Sequence, residues 1–201
     1  MVKALVVVAH PDDETIWCGG FIIARPDWDW TILSLCRRAD KDRAPKFRLA
    51  CKQLGAACAI SDLEDERPER PLASLDEVKS RVRAMLNRLG VGSRFDYVFT
   101  HGANGEYGHQ RHVEVHRAVK EMVHDKQIAS KAVFFFNYKP DKSGKLCVPS
   151  ARRVRGAIVV EELDKHAQKK KDLLIRSVYK FNRGVFEERS CSSIESFTVD
   201  K

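Results

Sequence analysis

The sequence of 201 residues lacks the features that mark several specialised classes of protein. No apolar run approaches the roughly 20 residues of a membrane-spanning helix. The first apolar stretch, residues 3–9, is short and runs into charged residues where a signal peptide needs small ones. The six cysteines show neither a C-x-x-C pair nor zinc-ribbon spacing, and no G-x-G-x-x-G follows the first apolar stretch. We therefore expect a cytoplasmic protein with buried free thiols and no dinucleotide cofactor.

The composition is that of an ordinary globular protein with a basic balance. Hydrophobic residues make up 43% and charged residues 32%, so the chain can form a packed core, and its length fits a single domain over residues 1–201. Thirty-six Lys and Arg against 28 Asp and Glu give a net charge of +8, which favours anionic partners. The basic runs Lys169–Lys171 and Arg152–Arg155 are interpreted either as a grip for phosphate or, more simply, as solvated surface.

Strand and helix patterns alternate along the chain. Apolar, β-branched runs predict strands over residues 3–9, 30–36, 57–61, 95–100, 132–138 and 156–160. Amphipathic spacing predicts helices over residues 14–25, 45–56, 74–89, 109–124 and 162–178. Loops are predicted over residues 37–44, 62–71 and 139–153, and residues 179–201 carry no clear pattern. This alternation predicts a Rossmann-like, three-layer α/β sandwich with a mainly parallel sheet, which binds ligands beyond the carboxyl ends of its strands.

The first candidate site follows the first predicted strand and reads His10-Pro11-Asp12-Asp13-Glu14. Pro11 disfavours helix at His10, so His10 and Asp13 can project to one side of a tight turn. An imidazole and a carboxylate suit Zn²⁺ or a similar divalent ion, and Asp12 stands where a general base for its water belongs. Alternatively, these acids cap the next helix, which we expect to account for one of the three.

A second candidate site contains clustered histidines, since five of the seven lie between residues 101 and 124. His109 and His112 are three residues apart at a predicted helix start, so they share a face. They follow another strand and therefore lie at the same edge of the sheet. We expect one of them as a third metal ligand and the other near the open position of the metal. His101, His116, His124 and His166 are interpreted as solvated or structural.

Two motifs together resemble those of a known family. They are Ala9-His10-Pro11-Asp12-Asp13-Glu14 and Gly105-Glu106-Tyr107-Gly108-His109-x-x-His112. Their spacing of about 100 residues and the order of elements between them are similar to the PIG-L/LmbE-like family of zinc-dependent N-acetylglucosaminyl deacetylases. The resemblance extends over most of residues 1–175.

The resemblance implies a role for each matching residue. It implies His10, Asp13 and His112 as zinc ligands, Asp12 as general base and His109 as the group that stabilises the oxyanion. It further implies that an arginine at the start of the second helix contacts the sugar.

That arginine is Arg43. Three residues depart from the family pattern: Lys46 stands where a glutamate is usual, which bears on the role of Arg43, and Gln110-Arg111 replaces Pro-Asp. We expect the change at Gln110-Arg111 to affect substrate choice or the surroundings of the metal ligands, and not the metal. Tyr107 is a further candidate for a hydrogen bond to the oxyanion, and Glu106 for a contact with sugar hydroxyls.

The sequence thus predicts a metal-dependent hydrolase that removes the N-acetyl group from an N-acetylglucosamine-type conjugate. Zn²⁺ or another divalent transition metal is the expected cofactor, and the expected partner is a small molecule or glycoconjugate, not nucleic acid. Whether the chain oligomerises is left open. One alternative is a Mg²⁺-dependent phosphoester hydrolase that uses Asp12 and Asp13, but two histidines favour zinc. Another is a polyanion-binding module, which leaves the His-Asp-Asp turn unexplained.

Overall fold

The computed structural model describes residues 1–67, 70–150 and 157–200. The first half contains β1 (Lys3–Val8), α1 (Asp13–Ile23), β2 (Asp29–Cys36), α2 (Arg43–Leu54), β3 (Ala57–Leu63), α3 (Asp76–Leu89) and β4 (Tyr97–Thr100). The second half contains α4 (Gly105–Gly108), α5 (Gln110–His124), β5 (Ala132–Phe136), β6 (Tyr138–Pro140), β7 (Cys147–Pro149), β8 (Ala157–Glu162), α6 (Lys165–Leu173), α7 (Phe186–Ser190) and β9 (Ile194–Asp200). A π-helical turn, Leu174–Val178, continues α6. No helix within these ranges is both long and apolar enough to cross a membrane.

Seven strands form a central sheet in the order β3-β2-β1-β4-β5-β9-β8. The neighbours from β3 to β5 are parallel, whereas β9 runs antiparallel to both β5 and β8. Alternate residues of β1 enter two separate cores: Ala4, Val6 and Val8 pack with α1, α2 and α6, and Leu5 and Val7 with α3 and α5. Helices therefore cover both faces, as a buried parallel sheet requires. The predicted three-layer α/β fold is confirmed.

Three sequence predictions for the C-terminal third need correction. The stretch predicted as a loop over residues 139–153 contributes, in its described part, to the two-stranded hairpin β6–β7. The helix predicted over residues 162–178 begins only at Lys165, because Glu161 and Glu162 still pair with β9. The unassigned residues 179–201 contain α7 and β9. β9 forms because strands on both sides supply its hydrogen bonds, and a local pattern does not contain that information.

Gly20 allows α1 to pack closely against the segment that follows β8. A Cβ atom at this position would lie 2.3 Å from the side chain of Leu163, so a larger residue would displace one of the two segments. The main-chain N–H groups of Gly20 and Phe21 donate to the Glu195 carboxylate of β9 at 2.8 and 2.7 Å. These two hydrogen bonds join α1 directly to the last strand, β9.

The basic run Lys169–Lys171 is only partly solvated. Lys171 is fully buried, and its Nζ donates to Glu195 Oε1 at 2.7 Å. The interpretation of all three residues Lys169–Lys171 as solvated is therefore wrong for Lys171. The run Arg152–Arg155 lies outside the described residues.

The six cysteines all lie in the described ranges and form no disulfide there. Two are partly buried, Cys58 and Cys191, and four are buried, Cys18, Cys36, Cys51 and Cys147. The prediction of free, mostly buried thiols is confirmed.

Candidate metal centre and active site

The turns after β1 and β4 meet at one edge of the sheet. These strands are parallel neighbours, and the strand order reverses between them, since β2 and β3 extend to one side and β5 to the other. Open α/β sheets bind ligands at the carboxyl ends of the strands at such a reversal. The two sequence motifs converge there: His10 Nδ1 lies 3.2 Å from His112 Nε2.

Asp13 completes a triangle with these two nitrogens. Its Oδ2 lies 3.4 Å from His10 Nδ1 and 3.4 Å from His112 Nε2. Ligand atoms about 2.1 Å from a tetrahedral ion are about 3.4 Å from one another. The three atoms therefore have the mutual spacing of ligands around a single ion.

A carboxylate holds the far nitrogen of each histidine in this triangle. His10 Nε2 lies 3.0 Å from Asp65 Oδ1, and His112 Nδ1 lies 2.6 Å from Glu106 Oε2. Because an ionised carboxylate only accepts, each of these nitrogens carries a proton. In the neutral imidazoles, His10 Nδ1 and His112 Nε2 then turn lone pairs toward Asp13. Three acceptors that face one another need a cation between them, so this set fits a divalent transition metal such as zinc.

A proton competes with a metal for the same space. Burial lowers the pKa of His10, but the carboxylates of Asp13 and Asp65 outweigh burial and raise it well above 6.5. Metal binding at this triangle therefore has to release a proton from His10, and it weakens as the pH falls.

Asp13 is oriented by two N–H groups. Trp17 Nε1 donates to its Oδ1 at 2.9 Å, and the main-chain N–H of His10 donates to its Oδ2 at 2.8 Å. Trp17 lies one helical turn after Asp13, so the start of α1 aligns its own carboxylate.

Glu106 lies behind the metal triangle and not in the pocket wall. It is fully buried, and its Oε2 accepts from His101 Nδ1 at 2.8 Å and from His112 Nδ1 at 2.6 Å. Its Oε1 accepts from the Gly102 N–H at 2.7 Å. Gly105 and Glu106 have φ of 59° and 58°, and this backbone reversal turns the carboxylate inward. The prediction that Glu106 contacts sugar hydroxyls is therefore wrong.

His101 supports the site from β4 without offering a free ligand atom. The main-chain N–H of Ala9 donates to His101 Nε2 at 2.9 Å, which requires a lone pair on that nitrogen. A proton on Nε2 would face the Ala9 N–H and break that hydrogen bond. We therefore assign His101 as neutral, with its proton on Nδ1 toward Glu106.

Asp12 directly precedes α1 and has a backbone conformation that residues with a Cβ atom rarely adopt. Its φ is 108° and ψ is −30°, and strain of this kind costs about 1–3 kcal/mol. Its carbonyl accepts the N–H groups of Thr15 and Ile16 at 2.9 Å each. Its side chain makes no capping hydrogen bond within the described chain, so capping does not explain this acid. Its Oδ2 accepts instead from Arg43 Nη1 at 2.7 Å.

The surroundings of Asp12 make it more basic than an exposed aspartate. Burial raises its pKa, the charge of Asp13 raises it further, and Arg43 opposes the shift only in part. A carboxylate with a raised pKa is a better proton acceptor near neutral pH than an ordinary one.

Arg43 occupies the pocket wall, as its predicted role requires. Its guanidinium lies 4.6 Å from the centre of the Phe181 ring while it pairs with Asp12. Lys46 instead pairs with Asp42 at 2.7 Å, one turn away on the same helix. The departure from the family pattern at Lys46 is therefore accommodated outside the pocket lining.

A cavity of about 160 Å³ opens beside the triangle. The C-terminal segment supplies one side of it through Phe186 and Glu187, and Tyr107 lies with its ring centre 4.8 Å from that of Phe186. The remaining lining residues come from the two motifs and α2 with its preceding loop: His10, Pro11, Asp12, Asp13, Ile16, Trp17, Arg37, Arg43 and His109.

His109 lines the cavity as a neutral imidazole. Its ring stacks on His112 with centres 4.6 Å apart and meets His10 edge-on at 4.8 Å. Burial lowers its pKa, and the charges that His112 and His10 can carry lower it further, to about 3. Its Nδ1 is buried and has no hydrogen-bond partner among the described residues. Near neutral pH it therefore offers a hydrogen bond and not a full positive charge.

Arg111, which departs from the family pattern, faces away from the cavity. It is fully buried and donates to the carbonyls of Glu64 and Arg70 at 2.6 and 2.8 Å and to Glu114 Oε2 at 2.7 Å. These bonds tie α5 to the described part of the loop after β3, which carries Asp65. Arg111 therefore bonds to the segment that carries Asp65, the carboxylate partner of His10.

Sequence reasoning missed several residues that build this site. Asp65 and His101 follow β3 and β4, whose carboxyl ends lie at the site, so position after a strand was an available signal. Arg37, directly after β2, holds Asp65 Oδ2 at 2.8 Å and carried the same signal. Phe186 and Glu187 had none, because the segment they belong to has no periodic pattern.

In the metal-free protein, the Glu106→Gln substitution is expected to make the free energy of unfolding fall less steeply as the pH decreases. Burial alone would raise the pKa of Glu106, but its interactions with His101 and His112 lower it from 4.5 to about 2. Its contribution is therefore complete above pH 4.5 and is lost as the pH falls toward 2. Urea unfolding at pH 5, 4 and 3 should give a smaller slope of unfolding free energy against pH for Glu106→Gln. The exposed Glu121→Gln serves as control, and a wild-type slope in Glu106→Gln would contradict the assignment.

Comparison with known proteins adds a sequence relationship to this geometry. Residues 5–123, which hold both motifs, match the profile of the family described as PIG-L, GlcNAc-PI de-N-acetylase. A curated relative is the 1D-myo-inositol 2-acetamido-2-deoxy-alpha-D-glucopyranoside deacetylase of Corynebacterium diphtheriae, 29% identical over 150 residues. That alignment covers 57% of this chain and 50% of the relative, so the chain spans about half the length of the curated relative it matches.

Solved structures share the fold at low sequence identity. The A40926 pseudoaglycone deacetylase has a TM-score of 0.69 at 14% identity, covering 99% of this chain and 97% of that one. The 4-carboxy-2-hydroxymuconate hydratase of Pseudomonas putida has a TM-score of 0.63 at 18% identity, covering 88% and 78%. One fold thus serves a deacetylase and a hydratase, and it does not define an activity. The match over residues 5–123 spans more than half of the sequence, and by it this chain belongs to the PIG-L family.

Proposed function

We propose that this protein is a metal-dependent N-deacetylase that hydrolyses the acetamide of an N-acetylglucosamine-type conjugate, with zinc as the preferred metal. The observation that carries the proposal is the triangle of His10, Asp13 and His112, whose ligand atoms lie 3.2–3.4 Å apart beside a pocket that Asp12 lines. Membership of the PIG-L family supports amide hydrolysis as the reaction.

His10, Asp13 and His112 would hold the metal in this proposal. When bound, the metal lowers the pKa of a coordinated water from 15.7 toward about 7 and polarises the acetamide carbonyl. Asp12 accepts the proton as the water attacks the carbonyl carbon, and its raised pKa suits this task. Arg43, 2.7 Å from Asp12, keeps that carboxylate ionised until substrate enters.

Two side chains face the carbonyl oxygen from the pocket wall. Tyr107 supplies a hydroxyl, and His109 supplies one N–H as a neutral imidazole. A donor aimed at a developing oxyanion contributes roughly 10²–10³ in kcat. Because His109 holds no second proton near neutral pH, we assign the return of the proton to the leaving amine to Asp12. The products are then acetate and the free amino sugar.

The acetamido group of the substrate is the part that enters the cavity of about 160 Å³ beside the triangle. The sugar and its substituents then lie at the mouth, against Arg37, Arg43 and Glu187. A small molecule or glycoconjugate that carries an N-acetylated amino sugar fits this arrangement. The curated relative, whose name describes an N-acetylglucosaminyl-inositol substrate, is consistent with it.

The proposal is tested by measuring acetate release from a panel of sugars. The panel contains N-acetylglucosamine, its inositol glycoside and the chitin disaccharide, each with zinc-loaded protein, with chelator, and after zinc is restored. We expect release from at least one member, abolished by chelator and recovered with zinc. Phosphate release from phosphoesters with Mg²⁺ and no acetate would favour a phosphoesterase. Metal-independent, steeply salt-dependent binding of a polyanion without turnover would favour a binding module.

A further inference from the structure

The strained backbone of Asp12 needs support from outside its own turn. Its φ of 108° lies in the region that residues with a Cβ atom rarely adopt. The carbonyl oxygen of Asp12 accepts hydrogen bonds from the main-chain N–H groups of Thr15 and Ile16 in α1. The N–H side lies before the first turn of the helix and has no acceptor within it, so a side chain can supply one.

Glu14 supplies that partner. It is fully buried, and its Oε2 accepts from the Asp12 N–H at 3.0 Å. Its Oε1 accepts from the Thr15 hydroxyl at 2.6 Å and from the Tyr179 hydroxyl at 2.7 Å. Each oxygen of this carboxylate therefore has a donor, and the two donors on Oε1 fix the rotation that presents Oε2 to Asp12.

Tyr179 reaches this point from the far end of the fold. It follows the π-helical turn that continues α6, its side chain is 2% exposed, and it lies outside the residues that match the family profile. Neither Glu14 nor Tyr179 lines the substrate cavity. The Tyr179 hydroxyl is linked to Asp12 through Glu14, while the Tyr179 ring lies 6.2 Å from that of Phe181, which packs on Arg43. Removing the hydroxyl alone therefore tests the link through Glu14.

We infer that Tyr179 and Glu14 form a brace that holds the backbone of Asp12 in its strained conformation and so aims the Asp12 carboxylate at the reacting water. The inference rests on the proposed function, in which Asp12 is the base. Without the Tyr179 hydroxyl, the Glu14 carboxylate can rotate away and the Asp12 peptide can relax. Tyr179 is thus a positioning residue that affects turnover and neither metal nor substrate binding.

Replacing Tyr179 with phenylalanine removes the hydroxyl and keeps the ring. We expect kcat to fall about tenfold, because small displacements of a reacting group cost rate steeply. KM should stay within about twofold and the zinc content should be unchanged, since the brace touches neither the pocket nor the metal ligands. Thr15→Val removes the other donor to Glu14 Oε1 and should give a smaller loss of the same kind.

Tyr138→Phe is the matched control. Tyr138 is 1% exposed, and its hydroxyl donates to the Trp17 carbonyl of the same helix α1 at 3.0 Å without contacting Glu14. Both variants lose one buried hydroxyl, but only Tyr179→Phe should lower kcat. Wild-type kcat in Tyr179→Phe, or an equal loss in both variants, would overturn the inference.

Hydrogen exchange gives a readout that does not depend on turnover. The Asp12 N–H should exchange at least tenfold faster in Tyr179→Phe than in the wild type, as followed by NMR, and at an unchanged rate in Tyr138→Phe. An unchanged exchange rate of the Asp12 N–H in Tyr179→Phe would refute the brace, whatever the kcat of that variant. If wild-type protein deacetylates no substrate, the proposed function fails, and exchange at Asp12 still decides whether the brace exists.

Discussion

Replacing Asp12 with asparagine or alanine is expected to lower kcat at least a hundredfold while the protein keeps its zinc. A positioned general base contributes roughly 10²–10⁴ in rate, and Asp12 lines the pocket beside the metal triangle without being part of the triangle. Its Oδ2 is directed at Arg43, 2.7 Å away, so its removal leaves the three ligand atoms in place. Asparagine is the better probe of the two, because it tolerates positive φ and keeps the shape of the side chain.

The measurement compares kcat for acetate release with the zinc content of the same preparation. The exposed Asp42, paired with Lys46 on α2, offers a control in Asp42→Ala, which should retain wild-type kcat. Turnover within a few-fold of wild type in Asp12→Asn would show that another group accepts the proton. Loss of zinc together with activity would place Asp12 among the ligands instead.

Replacing His112 with alanine is expected to remove the metal and, with it, all activity. His112 is fully buried, its Nε2 is one corner of the triangle, and its Nδ1 bonds to Glu106. Loss of a residue that merely orients a ligand typically costs 10–100-fold in metal affinity. Loss of the ligand itself should exceed that range, and it also leaves the Glu106 carboxylate without one of its donors.

Zinc affinity measured by competition with a chromophoric chelator tests this expectation, and elemental analysis gives the stoichiometry. His116→Ala is the control on the same helix, since His116 Nδ1 bonds to the His101 carbonyl and lies outside the triangle. We expect His116→Ala to bind one zinc with near wild-type affinity. A fully loaded His112→Ala protein would refute the ligand assignment.

The sequence was informative where local pattern and chemistry coincide. The apolar run at the start predicted a strand covered on both faces, and the turn after it predicted that His10 and Asp13 face the same side. Asp13 Oδ2 and His10 Nδ1 are indeed 3.4 Å apart. The residues alone left two candidates for the third metal ligand, His109 and His112. The family resemblance indicated His112.

The other features of the site depended on side-chain directions and strand pairings, which local sequence patterns do not encode. Glu106 sits in the second motif, yet a positive φ turns it away from the pocket, and nothing in the residue type foretells that turn. Asp65 becomes part of the site through the position of β3 in the sheet. Phe186 and Glu187, which line the pocket, and Tyr179, which bonds to Glu14, lie in a segment without a periodic pattern. In the same way, β9 is a strand only through its neighbours β5 and β8.

The position of β9 has a consequence for how the protein is made. All three proposed metal ligands lie before residue 113, in the segments that follow β1 and β4, and these two strands can pair with each other as the chain leaves the ribosome. β8 joins the sheet through β9, so it stays without a partner until residues 194–200 have been synthesised. We therefore expect a nascent chain to acquire its metal-binding half first, and the groups that shape the pocket and align its base only after residues 179–200 have been synthesised.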